Sequence, residues 1–175
     1  MTRWPPLIEL IEGEVHRYFL LKTYEYAAAH SEDPATKTAA LITTPDLKEI
    51  IAYDANRFPP GIHPTEAQIL DKEWKKDNIR HAEAGTILAA NGQNLEGTIM
   101  YMPWVPCEGC AQAIKDAGIS TLIGHQDLIE RTPERWREST GRAVEYLKRE
   151  GVDLYAYKGR IGGITHRFDS QDWQP

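Results

Sequence analysis

The sequence predicts an α/β domain, a three-layer α/β/α sandwich around a mixed five-stranded sheet. From residue 79 onward, apolar strand-like runs alternate with helical patterns, the order that produces βαβ units and parallel pairing. The segments between those strands are long enough to hold crossover helices. Upstream, two short strand runs meet at a Pro45-Asp46 turn, which makes them an antiparallel hairpin. A length of 175 residues fits one domain. Its core is expected over about 35–157, with an N-terminal helix over 7–29 and an irregular tail over 159–175.

Apolar Leu10, Ile11, Val15, Tyr18, Phe19 and Leu21 recur at three- and four-residue spacing, so a helix is expected over 7–29. Ser31-Glu32-Asp33-Pro34 ends it. Thr38 to Thr43 and Glu49 to Asp54 are the hairpin strands. Residues 55–77 start rich in proline and turn polar, with a helix around 65–76. A connection that long is functional or disordered. His81 to Asn91 is helical, and Asn91-Gly92 stops it. Thr98 to Met102 is a buried strand. Pro106 suits a helix start, where its missing N–H is not needed. That helix runs from Cys107 to Ala117 and is closed by Gly118. Ser120 to Gly124 is the next strand. Thr132-Pro133-Glu134 reads as an N-cap with an acidic first turn, and the helix continues to Glu150. Val152 to Tyr157 is the last strand. The tail has hairpin character at Gly162-Gly163.

Charged residues make up 26% of the chain and the formal net charge is −6. Sequence-independent binding to DNA or RNA draws its affinity from basic surfaces, so nucleic acid is not the expected partner. A small anionic ligand stays open, because a few local Arg or Lys residues suffice. No 18-residue apolar run exists, so no membrane span is expected. Met1 to Pro6 lacks the charged-then-apolar pattern of a secretory signal. A cytoplasmic protein is expected.

The chain has two cysteines, and both lie in Pro106-Cys107-Glu108-Gly109-Cys110. Without a secretory signal, C-x-x-C reads as metal-binding or redox-active. Upstream stands His81-Ala82-Glu83. His81, Cys107 and Cys110 together offer one imidazole and two thiolates, a ligand set for Zn2+ with one position free. Three protein ligands and an open fourth position mark a catalytic zinc; structural sites are closed by four. Both motifs fall at expected helix N-termini, where free N–H groups and the dipole favour anions, so the thiolates form readily. Cysteines at i and i+3 share one helix face. Glu83 can face the metal without ligating it and act as general acid and base. Other readings stand beside this one. A redox C-x-x-C normally follows the first strand of a βαβ unit and leaves His81 and Glu83 unexplained. A structural zinc needs a fourth ligand, for which His125 is the one candidate. An acid in a first helical turn can also serve the dipole alone, worth ~0.3–1 kcal/mol.

The spacing H-x-E followed by P-C-x-x-C is the signature of zinc deaminases. Over about residues 35 to 157 the chain resembles the cytidine and deoxycytidylate deaminase superfamily, and looks closest to the deoxycytidylate (dCMP) branch. Thr38-Ala39-Ala40-Leu41-Ile42 is similar to that family's first strand. Asn56-Arg57-Phe58-Pro59-Pro60-Gly61 resembles its G-x-N-G-F-P-x-G segment. The insert from Ile62 to Arg80 is like that of the dCMP branch and longer than in tRNA adenosine deaminases. The crossover from Pro133 to Glu150 implies a parallel last strand, unlike that of free cytidine deaminases. There are departures. Gly85 stands where the branch has Asn in H-A-E-x-N-A-I, Arg57 replaces the Gly after the Asn, and Val105 replaces Ser or Glu before Pro106-Cys107.

The resemblance implies hydrolytic deamination of a pyrimidine deoxynucleotide, dCMP or a 5-substituted dCMP, by zinc-activated water. It implies a hydrogen bond from Asn56 to the sugar 3′-hydroxyl and a substrate contact at Ala82. Arg57 is the candidate for a 5′-phosphate, ahead of Lys75, Lys76 and Arg80. Trp104, three residues before Cys107, is a candidate for stacking on the base, worth ~1–3 kcal/mol, or else a strand-end core residue. His63 and His125 read as surface residues, and Trp136 as core. Relatives assemble as dimers or hexamers, so a homo-oligomer is implied. Two alternatives remain. A deaminase acting on a base in nucleic acid would show a basic groove. A non-catalytic zinc-stabilised binding domain would be indifferent to Glu83→Ala.

Overall fold

Period-two alternation in the central strands builds two cores on opposite faces of one sheet. The computed structural model describes residues 4–175; residues 1–3, the start of the segment read for a secretory signal, lie outside it. In chain order the elements are β1 (Glu9–Ile11), α1 (Glu14–His30), β2 (Ala39–Thr43), β3 (Ile50–Ala55), α2 (Glu66–Leu70), α3 (Lys72–Asn78), α4 (Ala82–Ala89), β4 (Ile99–Tyr101), α5 (Glu108–Asp116), β5 (Thr121–His125), α6 (Gln126–Glu130), α7 (Glu134–Arg149), β6 (Asp153–Tyr157), β7 (His166–Phe168) and β8 (Gln171–Trp173).

The main sheet has the order β1-β6-β5-β4-β2-β3. β4, β5, β6 and β1 are parallel, while β2 is antiparallel to both β4 and β3. Ala40, Ile42, Met100, Leu122, Leu154 and Ala156 point to one face and pack against Ala82, Ala111, Ile114, Val144 and Leu147 of α4, α5 and α7. Leu41, Tyr101, Ile123 and Tyr157 point to the other face, against Phe19, Leu20 and Tyr24 of α1. That gives the three expected layers. β2 is buried along its whole length because both faces and both edges are covered. Among the described residues no helix is long and apolar enough to cross a membrane.

The structure departs from the sequence reading in five places. The sheet has six strands, not five. Glu9–Ile11, expected as the start of a helix, instead pairs with β6 as a parallel edge strand. Gly13, at φ 126°, breaks the chain before α1 begins. The helix expected around 65–76 is two short ones, since the Asp71 side chain accepts from Glu73 and Trp74 N–H and restarts the helix. Thr132 does not cap α7; its hydroxyl donates to Ile129 O at 2.7 Å and accepts from Trp104. The tail is a hairpin, β7–β8, whose turn is Asp169-Ser170 (φ 48° and 64°) rather than Gly162-Gly163. Two successive positive φ values match the twist of a tight hairpin.

That hairpin is anchored by His166. The residue is 2% exposed, neither ring nitrogen has a hydrogen-bond partner among the described residues, and the ring lies edge-on to Tyr24 at 4.7 Å. Burial, reinforced by Lys37 and His125, lowers its pKa to about 4 from an ordinary 6.5. The unfolded chain therefore binds the proton more tightly, and stability falls as pH drops from about 6.5 to about 4. Over that window the expected loss is about 3 kcal/mol. Thermal melts of the protein and of His166→Phe across that range check it. The Phe variant should show the shallower pH slope; parallel slopes would contradict the assignment.

Candidate active site

Two helix starts converge at the ends of parallel strands. His81 is the N-cap of α4 and Cys107 the N-cap of α5, and neither uses its side chain to cap its own helix. Both side chains are therefore free to project into the space between the helices. α5 then places Cys110 one turn on, beside Cys107. His81 Nδ1 lies 3.4 Å from Cys107 Sγ and 3.5 Å from Cys110 Sγ. A tetrahedral zinc with Zn–N of ~2.0 Å and Zn–S of ~2.3 Å holds nitrogen and sulfur about 3.5 Å apart. The three side chains fit that ion without rearrangement. Their ligand atoms all lie within 4.8 Å of one another, and among the described residues no fourth His, Cys, Asp or Glu joins them. His125 does not: it is fully buried, bonded to Tyr24 Oη at 2.8 Å and to Gly159 O at 3.0 Å. The closed four-ligand reading has no fourth ligand, and His125 is neither a surface residue nor a pocket residue.

Local charge follows from this packing. The Cys110 thiol donates to Cys107, and His81 adds a second hydrogen bond, so Cys107 is pulled down to about 4. The same arrangement pushes Cys110 up. The neighbouring Cys107 holds His81 up, to about 9. A cation arriving here displaces the protons these groups share, the usual coupling of metal affinity to pH. Glu83 is 5% exposed, and burial is the main force raising its pKa above the ordinary carboxylate range. It stays outside the ligand group.

The site opens into a cavity of about 520 Å³. His81, Glu83 and Cys107 line it together with Asn56, Trp104, Trp136, Phe168 and Thr140. Asn56 is locked in place: its Oδ1 accepts from Thr38 N–H at 3.0 Å and Ser31 Oγ at 2.5 Å, and its Nδ2 donates to Thr36 O at 2.8 Å. Trp104 is half-buried; its indole N–H donates to Thr132 Oγ1 at 2.7 Å and its ring meets Phe168 edge-on at 5.0 Å. Ala82 is buried in the core beside the site and does not line the cavity. Arg57 is not brought to the cavity either, because its guanidinium is held by Asp54 at 2.5 Å.

Sequence reasoning missed several wall residues. Lys75, ranked behind Arg57 as a phosphate candidate, is largely buried against Asp33 at 2.8 Å and lines the cavity with Lys76 and the unforeseen Lys72. Arg135 and Asp169 pair in the cavity lining, and Trp136, expected as core, lines the cavity too. Of these, only Lys75, Lys76 and Trp136 were singled out in the sequence. Asp169 and Phe168 come from the hairpin, which no motif marked.

The chain matches the family model described as the cytidine and deoxycytidylate deaminase zinc-binding region over residues 14–126. It is 33% identical over 163 residues to a probable deoxycytidylate deaminase of Drosophila melanogaster, covering 87% of this chain and 77% of that one. It is 28% identical to the deoxycytidylate deaminase of Mus musculus over 163 residues, 90% of this chain and 88% of that one. In fold it is similar to the dCMP deaminase of cyanophage S-TIM5 solved in complex with dCMP and dUMP, at a TM-score of 0.64 and 17% identity, covering 85% of this chain and 99% of that one. The matched region runs from α1 to the end of β5 and so contains the whole ligand set and Glu83. With that span and those ligands in place, the chain belongs to the cytidine and deoxycytidylate deaminase family.

Proposed function

We propose that the protein hydrolyses dCMP, or a 5-substituted dCMP, to the corresponding dUMP and ammonia. The observation that carries this reading is a buried, unligated Glu83 beside a three-ligand metal site that opens into a cavity of nucleotide size. Zinc bound by His81, Cys107 and Cys110 supplies Lewis acidity that brings water near a pKa of ~7. Glu83 accepts one water proton and delivers it to the ring nitrogen as the oxygen adds to the ring carbon; it then takes the remaining hydroxyl proton and passes it to the amine, so the C–N bond breaks, the carbonyl forms and ammonia leaves. Its raised pKa suits that shuttle, because a group that both takes and gives a proton works best near the operating pH. Asn56, with its second amide N–H unclaimed, reaches the sugar hydroxyl. Trp104, fixed by Thr132 and Phe168, presents apolar surface to the base.

The phosphate is assigned to Lys75, Lys76 and Arg135, because these cations line the cavity and Arg57 does not. Acidic Asp33, Glu73 and Asp169 interleave these cations, so the cavity is not the basic groove that a polynucleotide requires. Two unpaired thiols suit a reducing cytoplasm. A homo-oligomer is proposed with α1 in its interface, since Val15 and Tyr18 are exposed there; a monomer by light scattering would remove it.

Ammonia release from zinc-loaded protein, offered dCMP, 5-methyl-dCMP, dCTP, deoxycytidine and a single-stranded oligonucleotide, tests the function. Turnover of dCMP above the others is expected. Turnover of the oligonucleotide alone, or of nothing, overturns the reading. Arg135→Ala and Lys75→Ala should each raise KM for dCMP roughly 10- to 100-fold, the worth of a charged hydrogen bond, and leave deoxycytidine unaffected. Equal effects on both substrates would remove the phosphate assignment.

A further inference from the structure

Asp54, near the end of β3, is 1% exposed. Its Oδ1 accepts from Arg57 Nη2 at 2.5 Å and from Ala55 N–H at 2.9 Å; its Oδ2 accepts from Arg80 Nη2 at 3.2 Å. Arg80 immediately precedes His81. The backbones of Arg57 and Arg80 also exchange hydrogen bonds, at 3.1 and 2.8 Å. Gly85 of α4 packs on the same carboxylate. A Cβ there would lie 2.4 Å from Asp54 Oδ2, 3.0 Å from its Cγ and 3.2 Å from Arg80 Nε. Glycine inside a helix is less favourable than alanine. Here the missing methyl is what lets the carboxylate sit against the helix, one turn from the ligand.

His81 needs such support. A metal-bound histidine usually gives its second ring nitrogen a hydrogen-bond partner that fixes the ring. Here Nδ1 faces the sulfurs, and His81 makes no other side-chain hydrogen bond among the described residues. Its orientation therefore comes from the backbone, which Arg80 holds on one side and α4 on the other.

We propose that Asp54, Arg80 and Gly85 form a positioning couple that sets where His81 and Glu83 stand at the metal. Asp54 acts through Arg80 and touches neither metal nor substrate. The couple rests on the zinc deaminase reading, and its chelator test does not depend on which nucleotide is the substrate. In Asp54→Asn, an isosteric change, zinc transfer to a chromogenic chelator should be roughly 10- to 100-fold faster, the usual effect of losing outer-shell support. The kcat for dCMP should fall by about the same factor, with KM unchanged. Gly85→Ala should reproduce both effects, yet add nothing in an Asp54→Ala background, where the carboxylate is gone. Arg80→Lys should be milder than Arg80→Ala.

Wild-type zinc release and kcat in folded Asp54→Asn and Gly85→Ala would overturn the couple. So would a loss of thermal stability alone, or a full added effect of Gly85→Ala on Asp54→Ala. If Asp54→Asn does not fold, the two Arg80 variants decide on the same readouts. A wild-type protein inert toward dCMP, whose Asp54→Asn variant still sheds zinc faster, would reject the substrate and keep the couple.

Discussion

Glu83→Gln should hold a full equivalent of zinc and lose about 10³- to 10⁴-fold in kcat, the upper range for removing a general acid–base. The side chain is nearly fully buried, so an isosteric amide fills the same space and the fold survives. What disappears is a group that can release and regain a proton. KM should change little, because Glu83 is assigned to proton transfer and not to holding the nucleotide. The pH profile adds a second check. Burial places Glu83 above the ordinary carboxylate range, so its basic form is lost as pH falls through that raised value. Wild-type kcat should drop on the acid side with it, and the residual rate of Glu83→Gln should lack that limb. Metal analysis with steady-state kinetics decides: zinc present and kcat retained would take the role from Glu83 and revive the non-catalytic zinc domain.

Cys107→Ala and Cys110→Ala should each bring zinc content from one equivalent to near zero and abolish turnover. Two remaining ligands cannot fill a site that has only three. The apo protein should also melt earlier, because an ion that binds only the folded chain stabilises it by mass action. Thiol titration distinguishes this from a redox pair. Wild-type protein should expose two reactive thiols only after chelation, whereas a redox pair reacts with or without a chelator. A full zinc equivalent in either variant would contradict the ligand assignment.

The meeting of His81, Cys107 and Cys110 was legible because it depends on short-range geometry. His81 and Glu83 are two residues apart, Cys107 and Cys110 are one helical turn apart, and each motif carries its own helix start. The layers were legible because apolar strand runs alternate with helical patterns from residue 79 onward, which calls for crossover helices on a parallel sheet. The edge strand β1 was not. Leu10 and Ile11 satisfy a helical period as well as an extended one, and only the open edge of β6 chooses between them.

The sequence by itself determined that one imidazole and two sulfurs meet at helix starts over a mixed sheet, since those placements rest on local spacing and turn chemistry. Only the tertiary structure decided what surrounds them. It sent Arg57 to Asp54 instead of the cavity, turned Lys75 inward and brought the tail hairpin into the cavity lining. The last two outcomes pair groups far apart in the chain, Lys75 with Asp33 and Arg135 with Asp169, while Arg57 and Asp54 are only three residues apart. Lys75 and Asp33 are both largely removed from water, and a charge so placed needs a complementary partner that comes within reach only once the layers have packed.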